Sequence, residues 1–505
     1  MKQRSGLPAW LRMFTVTGLL VWAVSVAAQS QEGKAAATDS MAGAVRELQE
    51  QVRELREAVQ ELRTEAVEYR TETLELRREL QAAHGQTTGA AGQTLPLEER
   101  VSALEESSQL VNSKVDDQYQ TKVESASKYH LRLSGLLLFN LFGNHGYVDN
   151  QDFPTWVVPP DPTSPGQGFG ASLRQSELGL EVFGPRVAGA KTTGDLQMDF
   201  SGGFPNTLNG TSYGVVRLRI ADMRMDWDHT SVVAGQDAAF VSPLAPTSFA
   251  SVSVPALAYA GNLWGWIPQL RVERHFSMAE GQNLTLQAGI LDNLTGEPPD
   301  NSYLKQPTAG EATGQPAYAT RVAWSRNLLG RSMTVGASGY YGRQDWGLDR
   351  RVDGWAAMTD WELPLAARVS LTGELYRGRA LGGLGAAFGR SVIFSGPEYA
   401  AGTQIRAVNS VGGWSQVKFR ASGKLEFNGA FGLDNPYAQD LRAFSAPQAY
   451  FPVSVAQNRG ALVNFIYRPR SDLLFSGEYR HLRTFEISGG SPTAEQVNLT
   501  MGVLF

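Results

Sequence analysis

Apolar residues first recur along this chain in alternating steps of three and four. Val45, Leu48, Val52, Leu55, Val59, Leu62, Ala66, Tyr69, Thr73, Leu76 and Leu80 fill the a and d positions of five heptads, the seam of a coiled coil. In that register Glu65 can meet Arg70, and Glu72 can meet Arg77, on a neighbouring parallel helix. The segment therefore predicts a parallel homo-oligomer. Val at a with Leu at d leans towards two strands, but Ala66, Tyr69 and Thr73 weaken that preference and leave the number open. A Gly/Thr/Gln-rich break over 85–94 is followed by a weaker apolar run from Leu97 to Val115.

Near Lys128 the period drops to two. Tyr129, Leu131, Leu133, Gly135, Leu137, Phe139 and Leu141 share one face of a stretch whose other face carries His130, Arg132, Ser134 and Asn140, as in a strand with one apolar side. The alternation predicts sixteen strands, near 129–142, 172–183, 189–200, 214–227, 231–237, 262–275, 283–291, 317–326, 331–342, 352–362, 367–377, 411–420, 423–433, 459–468, 473–483 and 495–505. Long and short connections alternate between them, and turn residues such as Gly184-Pro185, Asp228-His229 and Asn327 to Gly330 sit at short ones. An even strand number with loops long on one side and tight on the other is the pattern of an outer-membrane barrel. Trp227, Trp324 and Trp361 lie at strand ends, where an interfacial girdle needs them. A soluble sandwich or propeller explains neither feature. The expected fold is thus an all-β transmembrane barrel of sixteen antiparallel strands preceded by an α-helical coiled coil. Sixteen strands enclose a water-filled lumen, so the barrel should pass solutes.

The start of the chain adds an address. Lys2 and Arg4 precede an apolar run from Met13 to Ala28, with Val26 and Ala28 at the −3 and −1 positions of a cleavage site, which reads as an export signal. Residues 1–28 are expected to be the signal, 29–127 a periplasmic coiled coil and linker, and 128–505 the barrel. The 505 residues contain no cysteine, which excludes disulfides, thiolate chemistry and a lipoprotein attachment site. The net charge of −5 is too small to suggest a nucleic-acid partner. That charge is concentrated: the middle segment has eleven basic and nineteen acidic residues, whereas the barrel segment has 31 of each.

By alternation the lumen face offers Arg132, Lys191, Arg217, Arg219, Arg271, Arg321, Arg368 and Lys418, opposed by Glu177, Glu181, Asp195, Asp199, Glu273 and Glu374. A one-residue bulge would flip such assignments, and one is expected near Ala221-Asp222. The inward arginines could contact solute or pair with Asp222, Asp226 or Glu273 to fix the wall. Enzyme chemistry finds little support. Gly210 to Gly214 fits a nucleophile-elbow pattern around Ser212, but it falls in an expected loop rather than a strand-turn-helix. The six histidines show no metal-ligand spacing and no phosphate-binding loop occurs. No cofactor, metal or catalytic residue is expected.

The coil leading into KYHLRLSGLLLFN (128–140), the stretches LRQSELGLEVFG and AKTTGDLQMDFSGG within 173–203, VVAGQDAAFVSP (232–243), GNLWGWIPQLRVE (261–273) and the terminal VNLTMGVLF together resemble a known family. They are similar to trimeric sixteen-stranded porins with an N-terminal periplasmic coiled coil, of the DcaP type and the phosphate-selective O/P type. The resemblance implies a homotrimer in the outer membrane, a third external loop folded into the pore as a constriction, and a C-terminal Phe505 read by the barrel-assembly machinery. On this carry-over the constriction loop is 238–261, with Phe240, Ser242, Thr247, Ser248, Phe249, Ser251, Ser253 and Tyr259. No charged residue lies between Ala238 and Gly261, so a general or weakly selective channel is favoured over a dedicated phosphate pore. The expected function is passive diffusion of small hydrophilic solutes, with a mild anion preference if inward arginines meet solute. The alternatives are an envelope tether whose coil grips peptidoglycan, and an outer-membrane hydrolase.

Overall fold

A computed structural model describes residues 130–161, 163, 165–204, 214–278, 281–299 and 303–505. The expected signal, the coiled coil and most of the 210–214 motif lie outside the described residues. Nineteen strands follow in chain order: β1 (His130–His145), β2 (Gln167–Ser172), β3 (Glu177–Phe183), β4 (Lys191–Asp199), β5 (Arg217–Asp226), β6 (Thr230–Ala238), β7 (Trp266–Ser277), β8 (Gln282–Leu291), β9 (Ala317–Leu328), β10 (Arg331–Asp345), β11 (Arg351–Ala366), β12 (Val369–Arg379), β13 (Val392–Phe394), β14 (Ile405–Ala407), β15 (Asn409–Arg420), β16 (Leu425–Pro436), β17 (Val455–Arg470), β18 (Leu473–Glu486) and β19 (Thr493–Leu504).

Each barrel strand pairs antiparallel with its neighbour, and β1 pairs with β19 from Leu136↔Leu504 to His145↔Glu495, closing the sheet. Closure leaves no unpaired edge, as a bilayer interior requires. β2 and β3 both pair with β1, on Asn140–His145 and His130–Leu136 respectively. They are two halves of one stave interrupted at 173–176, and β13 and β14 form a hairpin apart from the barrel, so the barrel has sixteen staves. The sixteen segments expected from period two are all present.

The two faces differ as the alternation requires. Leu137, Leu375, Val463 and Leu499, on the outer face, are each more than half exposed, and only an apolar medium solvates such a band without cost. Trp324, Val335 and Trp361 are directly paired across β9, β10 and β11, so both tryptophans stand in one outward row near the short-turn end. The inner face carries Asn140, Gln416, Asn428, Asn464, Glu478 and Asn498, all buried. Bulk lumen water would leave such side chains wet, so something covers them.

One local irregularity sets the inward charges. Gln197 pairs with Ile220 but Met198 pairs with Leu218, leaving Arg219 as the extra residue of a bulge in β5. The bulge falls slightly earlier than the expected Ala221-Asp222 position. It lets Arg217 and Arg219 on one side, and Asp222 and Arg224 on the other, all face inward.

Candidate functional site

The cover is the third long loop, 239–265 between β6 and β7, slightly longer than the segment expected to do this. It turns inward and follows the wall. Ala239, Phe240 and Val241 pack into an apolar patch of the inner face with Leu291, Ala317, Tyr340, Met358 and Tyr376. Ser242 then donates to Glu374 Oε2, and Leu244 N donates to Glu374 Oε1 at 2.8 Å on β12. Thr247 N donates to Gln416 on β15 at 2.7 Å, and Asn464 on β17 donates to Thr247 O at 2.9 Å. Ser248 donates to Glu478 on β18, and Asn140 on β1 donates to Phe249 O at 2.9 Å.

The lap continues at the break between β2 and β3. Gln175, fully buried, donates to Ala250 O and accepts from Val252 N at 2.8 Å and Ser253 N at 3.3 Å. Ser201 donates to Ser253 Oγ at 2.7 Å, and Arg217 on β5 donates to Ser253 O at 2.6 Å. Residues 239–253 thus run once around the inner wall, from the end of β6 to β5, as an uncharged collar. Pro243 and Ala245 are its exposed members. An extended chain of that length spans at most about 50 Å, the circumference of a ring about 16 Å across.

The return of the loop is strained and tightly seated. Leu257 and Tyr259 adopt φ of 61° and 57°, a left-handed backbone that costs non-glycine residues roughly 1–3 kcal/mol each. The wall holds them there: Leu257 lies against Gly432 and Gly460, and Asn458 donates to Tyr259 O at 3.0 Å. Gly261 has φ 101°, and a Cβ there would stand 2.2 Å from Gly413 O. Tyr259 also meets Trp156 from the first loop at 5.4 Å, edge on, and Trp156 meets Phe388 from the sixth loop at 4.7 Å.

The charged residues expected on the wall are mostly there and mostly paired. Arg132 bonds Glu181 at 3.2 Å, Arg217 bonds Asp199 at 2.6 Å, and Arg219 pairs with Glu177. Arg271 bridges Asp237 and Glu273, each at 2.7 Å, and Arg321 bonds Asp360 at 2.7 Å. Lys418 lies 4.0 Å from Glu426. Lys191 and Asp195 face inward on β4, Lys191 opposite Asp226. Arg368 does not lie on the wall: residues 367–368 form the turn between β11 and β12, and Arg368 donates to Ala421 O of the next turn. Of the three partners considered for the wall arginines, Glu273 pairs with Arg271, while Arg217 and Arg219 choose Asp199 and Glu177.

Across the inner face of β1 to β7 the described residues include six cations, with Arg224 added to the five on β1, β4, β5 and β7 above, and eight carboxylates, with Asp222, Asp226 and Asp237 added. The arginines therefore leave no surplus of positive charge there. One aromatic ring meets two of them, since Arg217 and Arg219 each lie 4.8 Å from the Trp266 ring. Sequence reading missed the role of the buried amides Asn140, Gln175, Gln416 and Asn464, which hold the collar, and of Asn458, which holds the return of the loop at Tyr259. Among the described residues no cluster of His, Asp and Glu could hold a metal ion.

The fold and the loop inside it define a class: closed sixteen-stave barrels with an apolar exterior and an inward-folded third loop. The outer-membrane channel DcaP of Acinetobacter baumannii matches this fold with a TM-score of 0.57 at 16% identity over 76% of this chain and 100% of that one. An anion-selective porin from Comamonas acidovorans matches with a TM-score of 0.45 at 11% identity, over 75% of this chain and all of that one. Pseudomonas putida OprB matches at 0.44 and 11%, over 75% of this chain and 94% of that one. No protein-family model and no curated protein matches the sequence.

Proposed function

We propose that the chain is an outer-membrane channel through which small hydrophilic solutes diffuse passively. The observation that carries this reading is the third loop, hydrogen-bonded to inward side chains from β12 round to β5, which narrows the lumen without contributing charge. A barrel serving only as an anchor has no need of a wall-fastened collar with a strained return. The pairing of Arg217, Arg219 and Arg271 with carboxylates favours weak selectivity over a dedicated anion pore, because each cation's field is largely cancelled at a distance. Three copies joined through the 45–80 coil, with that coil in the periplasm and Phe505 serving the assembly machinery, complete the proposal.

The test is a planar bilayer carrying purified protein, with single-channel conductance and the reversal potential recorded in a salt gradient. Ohmic conductance in steps of three with a reversal potential near zero is the expected result. Silence from folded protein would overturn the open-channel reading.

A further inference from the structure

On the outer face, β15 to β18 leave a groove of about 490 Å³. Small residues create it: Gly429 and Ala461 are flanked by the taller Val417, Phe431, Val463 and Tyr479. A Cβ built on Gly429 meets only Val463, at 3.8 Å. The groove is apolar, open to the side, and continuous with the exposed band that a bilayer would cover.

At its long-loop end stands an unusual pair. Arg459, two residues beyond Ala461 on β17, lies directly opposite Arg483 on β18. Like charges opposite one another in a sheet repel, and here both guanidinium groups lie over a single ring, 4.6 and 4.7 Å from Phe485. Both arginines are exposed and, among the described residues, neither forms an ion pair. Arg459 donates to Gln457 and Arg483 to Ser491, which leaves other N–H groups of each turned to the surroundings. Glu495 on β19 is engaged elsewhere, 3.7 Å from His481.

We propose that this is a binding site for a phosphorylated lipid: the groove takes an acyl chain and the Arg459/Arg483 pair takes the phosphate. An anion between two guanidinium groups turns their repulsion into a bidentate attraction. The apolar groove directly below assigns the phosphate to a lipid rather than to a free ion. The site rests on the membrane reading of the barrel, but not on conduction.

The test uses native mass spectrometry of the detergent-solubilised full chain, titrated with phosphatidic acid, diacylglycerol and inorganic phosphate. Wild type should retain phosphatidic acid at least tenfold more tightly than either of the other probes. Arg459→Gln/Arg483→Gln and, separately, Gly429→Leu should each weaken that binding at least fivefold, with single-channel conductance unchanged. Unchanged phosphatidic acid binding in the double variant would overturn the proposal. So would tight inorganic phosphate binding indifferent to Gly429→Leu, which marks a free-anion site, or a change of oligomeric state in Gly429→Leu, which marks a contact between copies. Loss of conductance in wild type would strike the channel reading and leave the lipid site standing.

Discussion

Asn464 and Thr247 are 217 residues apart in the chain, yet the Asn464 side-chain amide donates to the Thr247 carbonyl at 2.9 Å. The same amide group donates to Glu478 and accepts from Asn428, so one inward side chain ties the collar to three staves. Asn464→Leu removes these bonds and strands the Thr247 carbonyl and the Asn428 amide, a loss of roughly 1–3 kcal/mol for each buried group left unpaired. The collar should loosen while the barrel persists. The expected outcome is a larger and noisier single-channel conductance from a barrel that still folds in detergent.

Gly261 tests the seat of the returning segment. Its φ of 101° and the 2.2 Å approach of Gly413 O to the position of a Cβ exclude a side chain. Gly261→Ala should push 256–262 off the wall and expose the 239–265 loop to protease in folded protein, where the wild-type loop resists.

Charge balance can be tested at Arg271. It is nearly buried between Asp237 and Glu273, and Arg271→Gln leaves Asp237 without its cation and Glu273 with Arg224 alone, 3.4 Å away. The reversal potential in a tenfold salt gradient should then move towards cation selectivity. A shift towards anions would contradict the pairing described for this wall.

The first loop should respond to pH through Asp149. Its carboxylate accepts from Thr155 N, Thr155 Oγ1 and Trp156 N, but burial prevails and pushes its pKa up to about 6. The packed loop therefore binds a proton more tightly than the released loop. Packing of Trp156 against Tyr259 and Phe388 should be strongest below about pH 4 and weaken as pH rises through about 6. Hydrogen exchange of amides 147–158, corrected for the intrinsic pH dependence, should show protection falling over that window. Asp149→Asn should flatten the profile.

Phe505 closes the barrel as well as ending the chain. Its carbonyl accepts from Gly135 N at 2.8 Å, its N–H donates to Gly135 O at 3.1 Å, and its ring occupies the space over Gly135, where a Cβ would stand 2.5 Å from the ring edge. Gly135→Val should displace the ring and lower the temperature at which the folded barrel loses its compact electrophoretic mobility.

The staves were legible because a bilayer on one side and a polar interior on the other enforce period two residue by residue, as in Leu137, Phe139 and Leu141 against Asn140. The break at 173–176 was not. The expected strand 172–183 runs through Leu173 to Ser176 with no glycine or proline to mark a break, and only the loop arriving at Gln175 explains the interruption. Asn464 and Gln416 read as ordinary inward polar residues, since whether such an amide meets water or a backbone carbonyl depends on the path of a loop two hundred positions away. The expected strand 367–377 puts Arg368 on the wall, although the chain turns at 367–368. The arginines were found, but the choice of Asp199 and Glu177 by Arg217 and Arg219 follows from the bulge at Arg219, whose place the sequence marks only approximately.

The collar's fastenings are largely amides and hydroxyls, whereas the wall's charges act through space. Salt screens fields beyond about 10 Å at 0.1 M and about 3 Å at 1 M, but it does little to a buried hydrogen bond such as that of Gln175 with Val252 N. Aperture and charge preference are thus set by separate forces. As a cell moves from fresh water to brine, whatever discrimination the wall exerts between ions should fade, while the largest molecule able to enter stays the same.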